Sequence, residues 1–197
     1  MHRDATAFEV REALGRPGCP VCRLALRAVR RFIRSVAYEQ VNDPELRAEL
    51  RAARGFCNPH AYRWLREAHN VLGTALIYRD VVQAALKDEL AASGSAAGGG
   101  RKGLLGALLR RGEAAGSGPR ARAACPACQA QRQAEHRYLA ALWAILADPD
   151  DRALFEVGEG VCLVHALELV RGGGARAESV LAHTRRQVER LLATLTR

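Results

Sequence analysis

Two cysteine-containing motifs stand out in this sequence, and each of them occurs twice. Both copies of Cys-Pro-x-Cys and both copies of Gly-x-Cys-x-x-His together hold all 6 cysteines of the chain. Thiolate sulfur and imidazole nitrogen are the ligands that Zn²⁺ prefers in structural sites. The pattern therefore indicates metal binding, through these residues: Cys19, Cys22, Cys57, His60, Cys125, Cys128, Cys162 and His165.

The two copies are related by a nearly constant offset. Asp43-Pro44 lies between the first motifs, and Asp148-Pro149 lies at the matching place between the second ones. An internal duplication is the simplest explanation, and it predicts one Cys3His site in each half of the chain. The predicted ligand sets are Cys19, Cys22, Cys57 and His60 in the first half, and Cys125, Cys128, Cys162 and His165 in the second. Exchange of ligands between halves or between protomers is also compatible with this spacing.

The spacing within each motif has a physical reason. A Cys-x-x-Cys turn directs two sulfurs to one side, and Cys-x-x-His at a helix start places both side chains on one face of the first turn. Three thiolates and one imidazole fill a tetrahedral Zn²⁺ site and leave no open position for catalysis. Two structural zinc ions per chain are therefore expected, with an iron–sulfur cluster as the alternative. A third reading is a redox-responsive zinc thiolate that releases its ion on oxidation.

The arrangement resembles a bacterial family that is known only as a domain of unknown function. The resemblance is carried by Cys-Pro-x-Cys, Asp-Pro and Gly-x-Cys-x-x-His, each present twice in a helical chain of about this length. It covers nearly the whole chain except residues 93–122. It implies metal binding at both motif pairs and implies no substrate.

Helical spacing of apolar residues predicts an all-α protein. We expect two pseudo-symmetric zinc-stapled repeats packed into one helical bundle. Residues 1–92 would hold a short N-terminal helix and the first repeat, residues 93–122 a Gly/Ala/Arg-rich linker, and residues 123–197 the second repeat. In the first repeat the third helix is predicted to run unbroken from about Pro59 to Ala92. In the second, Gly172-Gly173-Gly174 predicts a break, followed by a helix from about Ala177 to Thr194.

The composition bounds the partners. The formal charge is +9, carried mostly by arginine, and five arginines mark one face of the second predicted helix. They are Arg23, Arg27, Arg30, Arg31 and Arg34. This face predicts a solvated surface, with an anionic partner, such as nucleic acid, as a weaker reading. A protein partner is the other open possibility. Because the chain shows neither an apolar membrane span nor a signal peptide, and its cysteines pattern as thiolates, a cytoplasmic location is expected.

Other residues give no catalytic signal. His69, His136 and His183 fall on predicted helices without metal-ligand spacing, so each is interpreted as a packing or solvated histidine. The sequence has neither a Gly-x-Ser-x-Gly elbow nor a phosphate-binding loop. Residues 101–111 form a basic, leucine-bearing island inside the linker. A non-enzymatic binding or regulatory module is the function that these observations favour.

Overall fold

The structure of the protein is a computed structural model that describes residues 5–97, 122–171 and 173–195. Throughout these ranges the regular structure is helical and no strand is present, which confirms the predicted all-α class. The helices are α1 (Ala5–Leu14), α2 (Pro20–Tyr38), α3 (Pro44–Ala53), α4 (Asn58–Glu67), α5 (Val71–Ala97), α6 (Pro126–Ile145), α7 (Pro149–Val157), α8 (Leu163–Val170) and α9 (Ala175–Leu195).

The Asp-Pro pairs start α3 and α7. The Asp43 side chain accepts a hydrogen bond from the Leu46 amide at 2.7 Å, and Asp148 accepts from the Asp150 amide at 2.9 Å. Both aspartates have extended backbone angles and are followed by proline at the first helical position. Each aspartate therefore caps the helix that follows it.

The predicted unbroken helix from Pro59 to Ala92 is wrong, because the chain breaks between α4 and α5. His69 adopts a left-handed φ of 46°, and Asn70 accepts a 2.7 Å hydrogen bond from the Gly73 amide. The Asn70 amide group also donates to the Ala37 carbonyl oxygen at 2.7 Å. Asn70 thus caps α5, and the helical path of α4 cannot continue through it.

The predicted break in the second half is confirmed. Helix α8 ends at Val170 and α9 begins at Ala175, two residues earlier than expected. Gly174 has a φ of +83° and occupies the repeat position of His69, which is also left-handed. The glycines therefore mark a break that both halves contain, and they are not a departure of the second half from the first.

The chain divides into two compact units that differ from the segments 1–92, 93–122 and 123–197. Unit 1 comprises residues 1–32 and 129–197, and unit 2 comprises residues 33–128. The boundaries fall inside α2, after Phe32, and inside α6, after Cys128. The sequence repeats and the compact units are therefore different divisions of this chain. Residues 98–121, with the basic island 101–111, lie outside the described residues.

Unit 1 has a core of small and aliphatic side chains. Helix α1 contributes Val10 and Leu14, α6 contributes Tyr138 and Leu142, and α7 contributes Phe155. Helix α1 is also held to α7 by Arg11, which donates to both carboxylate oxygens of Asp151 at 2.7–3.0 Å. A paired, bidentate contact of this kind fixes the direction of both side chains.

In unit 2, helices α3, α4 and α5 are joined by one aromatic and one charged contact. Trp64 of α4 is fully buried, stacks on Phe56 with ring centroids 5.4 Å apart, and donates from its indole N–H to the Thr74 hydroxyl at 2.9 Å. Asp80 of α5 accepts hydrogen bonds from Arg51 at 2.6 Å and from Arg47 at 3.1 Å, both on α3. The bond from Arg51 and that from Arg47 hold the pKa of Asp80 below its ordinary value, although burial opposes the shift.

The Thr74 contact yields a stability prediction. Thr74→Val keeps the side-chain shape but leaves the indole N–H of Trp64 buried without an acceptor, so the free energy of unfolding should fall by about 1–3 kcal/mol. Thr194→Val is the matched control, because the exposed Thr194 hydroxyl donates only to the Arg190 carbonyl oxygen of its own helix. Urea denaturation of both variants measures the difference. Equal midpoints for the two would show that the Trp64 bond contributes nothing.

Candidate metal centres

The structure brings all of the predicted ligand residues into two clusters, but it pairs the motifs across the halves. Cluster 1 contains Cys19, Cys22, Cys162 and His165, and cluster 2 contains Cys57, His60, Cys125 and Cys128. In each cluster, the candidate ligand atoms all lie within 4.8 Å of one another. The predicted grouping of ligands within each half is therefore wrong, and the exchange between halves that the spacing also permitted is what the structure shows.

Cluster 1 lies wholly in unit 1, where two helix starts meet. Cys19 immediately precedes α2 and Cys22 lies in its first turn. Cys162 is the residue that precedes α8, with φ −64° and ψ 160°, and His165 follows in the first turn. Gly18 turns the chain into α2 with a φ of +81°, and its amide donates to the Glu159 carboxylate at 2.7 Å. This bond joins the two loops that carry the ligands, and no sequence motif marked Glu159 for it.

The atoms of cluster 1 have the spacing of a tetrahedron around one ion. The Nδ1 atom of His165 lies 3.4 Å from the Sγ atoms of Cys19 and Cys22, and 3.2 Å from that of Cys162. The Sγ atoms of Cys22 and Cys162 are 3.7 Å apart. Zinc bond lengths require edges of about 3.8 Å between two sulfurs and about 3.6 Å between sulfur and nitrogen. The ligand atoms therefore surround a space that fits one Zn²⁺.

Cluster 2 repeats this arrangement within unit 2. Cys57 precedes α4 with φ −65° and ψ 162°, almost the same angles as Cys162. The Nδ1 atom of His60 lies 3.2 Å from the Sγ of Cys57, 3.3 Å from that of Cys128 and 3.8 Å from that of Cys125. The Sγ atoms of Cys57 and Cys128 are 3.5 Å apart. These edges also match a tetrahedral site of one ion.

One thiol in each cluster has a raised pKa. Burial, followed by the charges and sulfurs of Cys19 and Cys162, raises the pKa of the Cys22 thiol well above its ordinary value. Burial and the neighbouring sulfur of Cys57 raise the pKa of Cys128 to about 12. At these two positions burial disfavours the charged thiolate, and the neighbouring sulfurs add to the effect. A divalent cation reverses that preference, since coordination deprotonates a thiol outright.

The cysteines form no disulfide. All six thiols are free, although the sulfurs of different motifs approach to 3.5–3.7 Å. A disulfide bond requires a sulfur–sulfur distance of about 2.05 Å. The sulfurs therefore stand at the distance of ligands that share an ion, which agrees with the metal reading of the sequence.

Three other histidines lie among the described residues, and all three are outside both clusters. His69 and His136 are exposed. His183 is a packing histidine, since only 2% of it is exposed and its ring lies 5.1 Å from that of Phe155. Burial lowers the pKa of His183 below its ordinary value and so favours the neutral ring. The interpretation of these residues as packing or solvated histidines is confirmed for all three.

His183 also supports the loop that presents Cys162. Gly160 precedes this cysteine by two residues and has a φ of +66°, and a Cβ atom placed on it would lie 2.6 Å from the His183 ring. The backbone angle and the close ring both require glycine at this position. The loop approaches α9 as closely as it does because residue 160 has no side chain.

Gly160→Ala should therefore lower the free energy of unfolding of the protein by about 2–4 kcal/mol, through both strain and overpacking. Gly173→Ala is a matched control, because Gly173 has the same φ of +66° and nothing within 4 Å of the added carbon. The control should cost only about 1 kcal/mol, from strain alone. Thermal melting of the two variants separates the cost of backbone strain from the cost of overpacking. Equal losses of stability in the two variants would mean that the His183 ring moves aside with no loss of stability.

On the arginine face of α2, four of the five arginines are exposed, in agreement with the predicted solvated surface, and Arg23 is half-buried. Arg27 forms an ion pair with Glu9 at 3.0 Å, and Arg34 forms one with Glu67 at 3.4 Å. Arg23 donates to the Ala13 carbonyl oxygen at 3.0 Å, and Arg31 to the Tyr138 hydroxyl at 3.4 Å. These contacts join four of the five arginines to acceptors within the fold.

No helix among the described residues is both long and apolar enough to cross a membrane.

Comparison with known proteins identifies the family of this chain. Over 65 residues the chain is 42% identical to an "Uncharacterized 23.9 kDa protein in xynA 3'region" of Caldicellulosiruptor sp. (strain Rt8B.4), a match that covers 33% of this chain and 31% of the relative. No solved structure matches. Residues 1–193 match the model of a family described as "Family of unknown function (DUF6062)". The chain belongs to this family, which agrees with the resemblance seen in its motifs.

Proposed function

We propose that clusters 1 and 2 each bind one Zn²⁺ and that both ions are structural. The observation that carries this proposal is the sulfur–nitrogen and sulfur–sulfur spacing of 3.2–3.8 Å around each site. Each cluster supplies a full set of four ligands, so a bound zinc keeps no open position for a substrate or water. The protein then acts as a zinc-stapled helical scaffold, a non-enzymatic binding or regulatory module.

The spacing also argues against a cubane iron–sulfur cluster. In a [4Fe–4S] cluster each protein ligand binds a different iron, so the ligand atoms stand farther apart than the ligands of a single ion. Here the ligand atoms of each site lie within 4.8 Å of one another. A single ion fits this space. Among single ions, Zn²⁺ suits three thiolates and an imidazole in tetrahedral geometry.

A redox-responsive zinc thiolate, which releases its ion on oxidation, is the second candidate function. Most of the cysteines are only half-buried, and solvent access to the sulfurs is what an oxidant needs. In that case dilute peroxide would release zinc from the native protein, and a thiol reductant would restore binding. Zinc that stays bound under peroxide would exclude this function and leave the structural role in place.

The internal contacts of the arginine face weaken the case for a nucleic-acid partner. Phosphate binding by Arg27 or Arg34 would first have to displace Glu9 or Glu67. A nucleic-acid site normally presents arginines that are free of such competition.

We assign the protein to the cytoplasm, since six unpaired thiols suit a reducing compartment.

Metal analysis tests the proposal directly. Protein purified anaerobically without an affinity tag should contain two zinc ions per chain by mass spectrometry and should show no visible absorption. Zinc at this level supports two structural sites. Iron with acid-labile sulfide would contradict the proposal, because it would make the clusters redox centres. Folded protein without any metal would equally contradict it.

A further inference from the structure

Unit 1 contains a cleft of about 660 Å³ beside cluster 1. One wall is formed by α6 and the other by α8 and the residue that follows it. A volume of this size is typical of pockets for small organic ligands. The proposed structural zinc does not account for the cleft, because a closed metal site needs no access from outside.

His165 connects the cleft to cluster 1. The cleft is lined by His165 but by none of the three cysteines of the cluster. Since Nδ1 of this ring is directed at the sulfurs, the opposite edge with Nε2 faces the cleft. The residue is only 7% exposed, and among the described residues nothing bonds to its Nε2. With Nδ1 bound to a metal, Nε2 carries the proton and donates. The His165 ring thus has a donor at the edge of the cleft, and that donor has no acceptor among the described residues.

Two further donors on the cleft wall have no partner. Arg132 and His136 are one helical turn apart on α6 and both line the cleft. Within the described part of the chain, no ion pair or hydrogen bond is formed by either side chain. Each of the two carboxylates of the lining accepts one hydrogen bond at one oxygen, Glu135 from Gln131 at 2.8 Å and Glu168 from Arg171 at 3.2 Å. The cleft therefore offers the unpaired donors of Arg132 and His136 beside these two carboxylates.

The remaining wall of the cleft is apolar. Leu139, Leu169 and the half-buried Trp143 form it. The guanidinium of Arg176 lies 4.6 Å from the Trp143 ring centroid and donates to the Trp143 carbonyl oxygen at 2.8 Å. This contact holds the indole in place and adds positive charge nearby. A ligand with a flat or apolar body and an anionic group would satisfy both walls.

We propose that this cleft binds a small organic anion, with its charged oxygens at His165, Arg132 and His136 and its apolar body against Trp143. The His165 contact rests on the proposed zinc, which fixes the Nε2 proton, whereas the other contacts do not depend on it. Such an anion would contact His165, a proposed zinc ligand, without coordinating the zinc ion itself. The binding module of the proposed function would then have a defined ligand class.

Phenyl phosphate is a suitable probe, because it joins an oxyanion to an aromatic body. Its titration into zinc-loaded protein is followed through the indole N–H resonance of Trp143, assigned with a Trp143→Phe variant. We expect saturation with a dissociation constant of the order of 0.1 mM. Arg132→Gln should weaken binding about tenfold. Arg137→Gln is the matched control, since Arg137 is a neighbouring arginine that covers the Tyr138 ring at 4.9 Å and does not line the cleft.

Three outcomes would overturn the assignment. They are absence of saturation, an equal loss of affinity in the two arginine variants, and binding of inorganic phosphate as tight as that of phenyl phosphate. The last would show that the apolar wall has no role. Zinc is measured on the same sample, so the two proposals fail separately. Protein without zinc contradicts the metal sites, whereas zinc-loaded protein that does not bind the probe contradicts only the cleft.

Discussion

Replacement of both Cys22 and Cys162 by serine should leave about one zinc per chain, whereas replacement of both Cys22 and Cys57 should leave none. In the structure Cys22 and Cys162 belong to the same cluster, with their sulfurs 3.7 Å apart, so the first variant damages one site only. Cys57 belongs to the other cluster, so the second variant removes a ligand from each site. A lost thiolate weakens a site whose binding free energy is of the order of 10 kcal/mol.

The two variants are matched in chemistry. Each loses one cysteine of a Cys-x-x-Cys motif and one of a Cys-x-x-His motif, so nonspecific effects of serine are equal. Zinc retained after dialysis against a chelator is counted by mass spectrometry, and circular dichroism records how much helix remains. Pairing of motifs within each half would exchange the two results. Retention of one zinc by the Cys22/Cys57 variant and of none by the Cys22/Cys162 variant would therefore refute the clusters as described.

The sequence was sufficient to identify the candidate ligands but not their partners. Chemistry restricts which residue types bind zinc, and every cysteine of this chain falls in a motif. A duplicated chain, however, contains two equivalent Cys-x-x-Cys turns and two equivalent Cys-x-x-His turns. Each turn of one kind can close a site with either turn of the other kind at no difference in local chemistry. The choice depends on which helices share a core, and this is a long-range property.

Helix α1 shows why the choice of packing partners cannot be predicted from a local sequence pattern. The apolar residues of this helix in the sequence are Phe8, Val10 and Leu14, and the structure buries Val10 and Leu14 but leaves Phe8 exposed. Their core partners are Tyr138, Leu142 and Phe155, from the distant end of the sequence. Spacing of apolar residues reveals that a face is buried but not what buries it. For that reason α1 was expected to group with the first repeat in residues 1–92, whereas it lies in unit 1 together with residues 129–197.

The break between α4 and α5 was missed for a related reason. Leu65, Val71 and Leu72 continue the helical apolar pattern through the break, yet they are 64%, 88% and 70% exposed. The turn is instead determined by Asn70, whose side chain caps α5 and bonds to the Ala37 carbonyl oxygen. In the second half three successive glycines made the corresponding break visible. A single asparagine is a weaker signal than a glycine run, because asparagine also occurs inside helices.

Loss of one cluster should destabilise one compact unit, and hydrogen exchange can show which. Cys128→Ser damages cluster 2, so amides of α3, α4 and the start of α5 should exchange about a thousandfold faster, which corresponds to about 4 kcal/mol. Cys22→Ser damages cluster 1 and should have this effect on α1, α7 and α8. Each serine variant is the control for the other, since both replace the second cysteine of a Cys-Pro-x-Cys motif.

These two exchange patterns are the opposite of those expected if each sequence repeat were a stability unit. If the segments 1–92 and 123–197 were the stability units, Cys128→Ser would expose α7 and α8, and Cys22→Ser would expose α3 and α4. Faster exchange spread evenly over all helices in both variants would contradict the two units as well, because it would require one cooperative fold. The structure predicts separate responses because each cluster, with its ligands, lies within a single unit. Since each unit takes ligands from both sequence repeats, the zinc ions would hold together segments that the duplication places far apart in the chain.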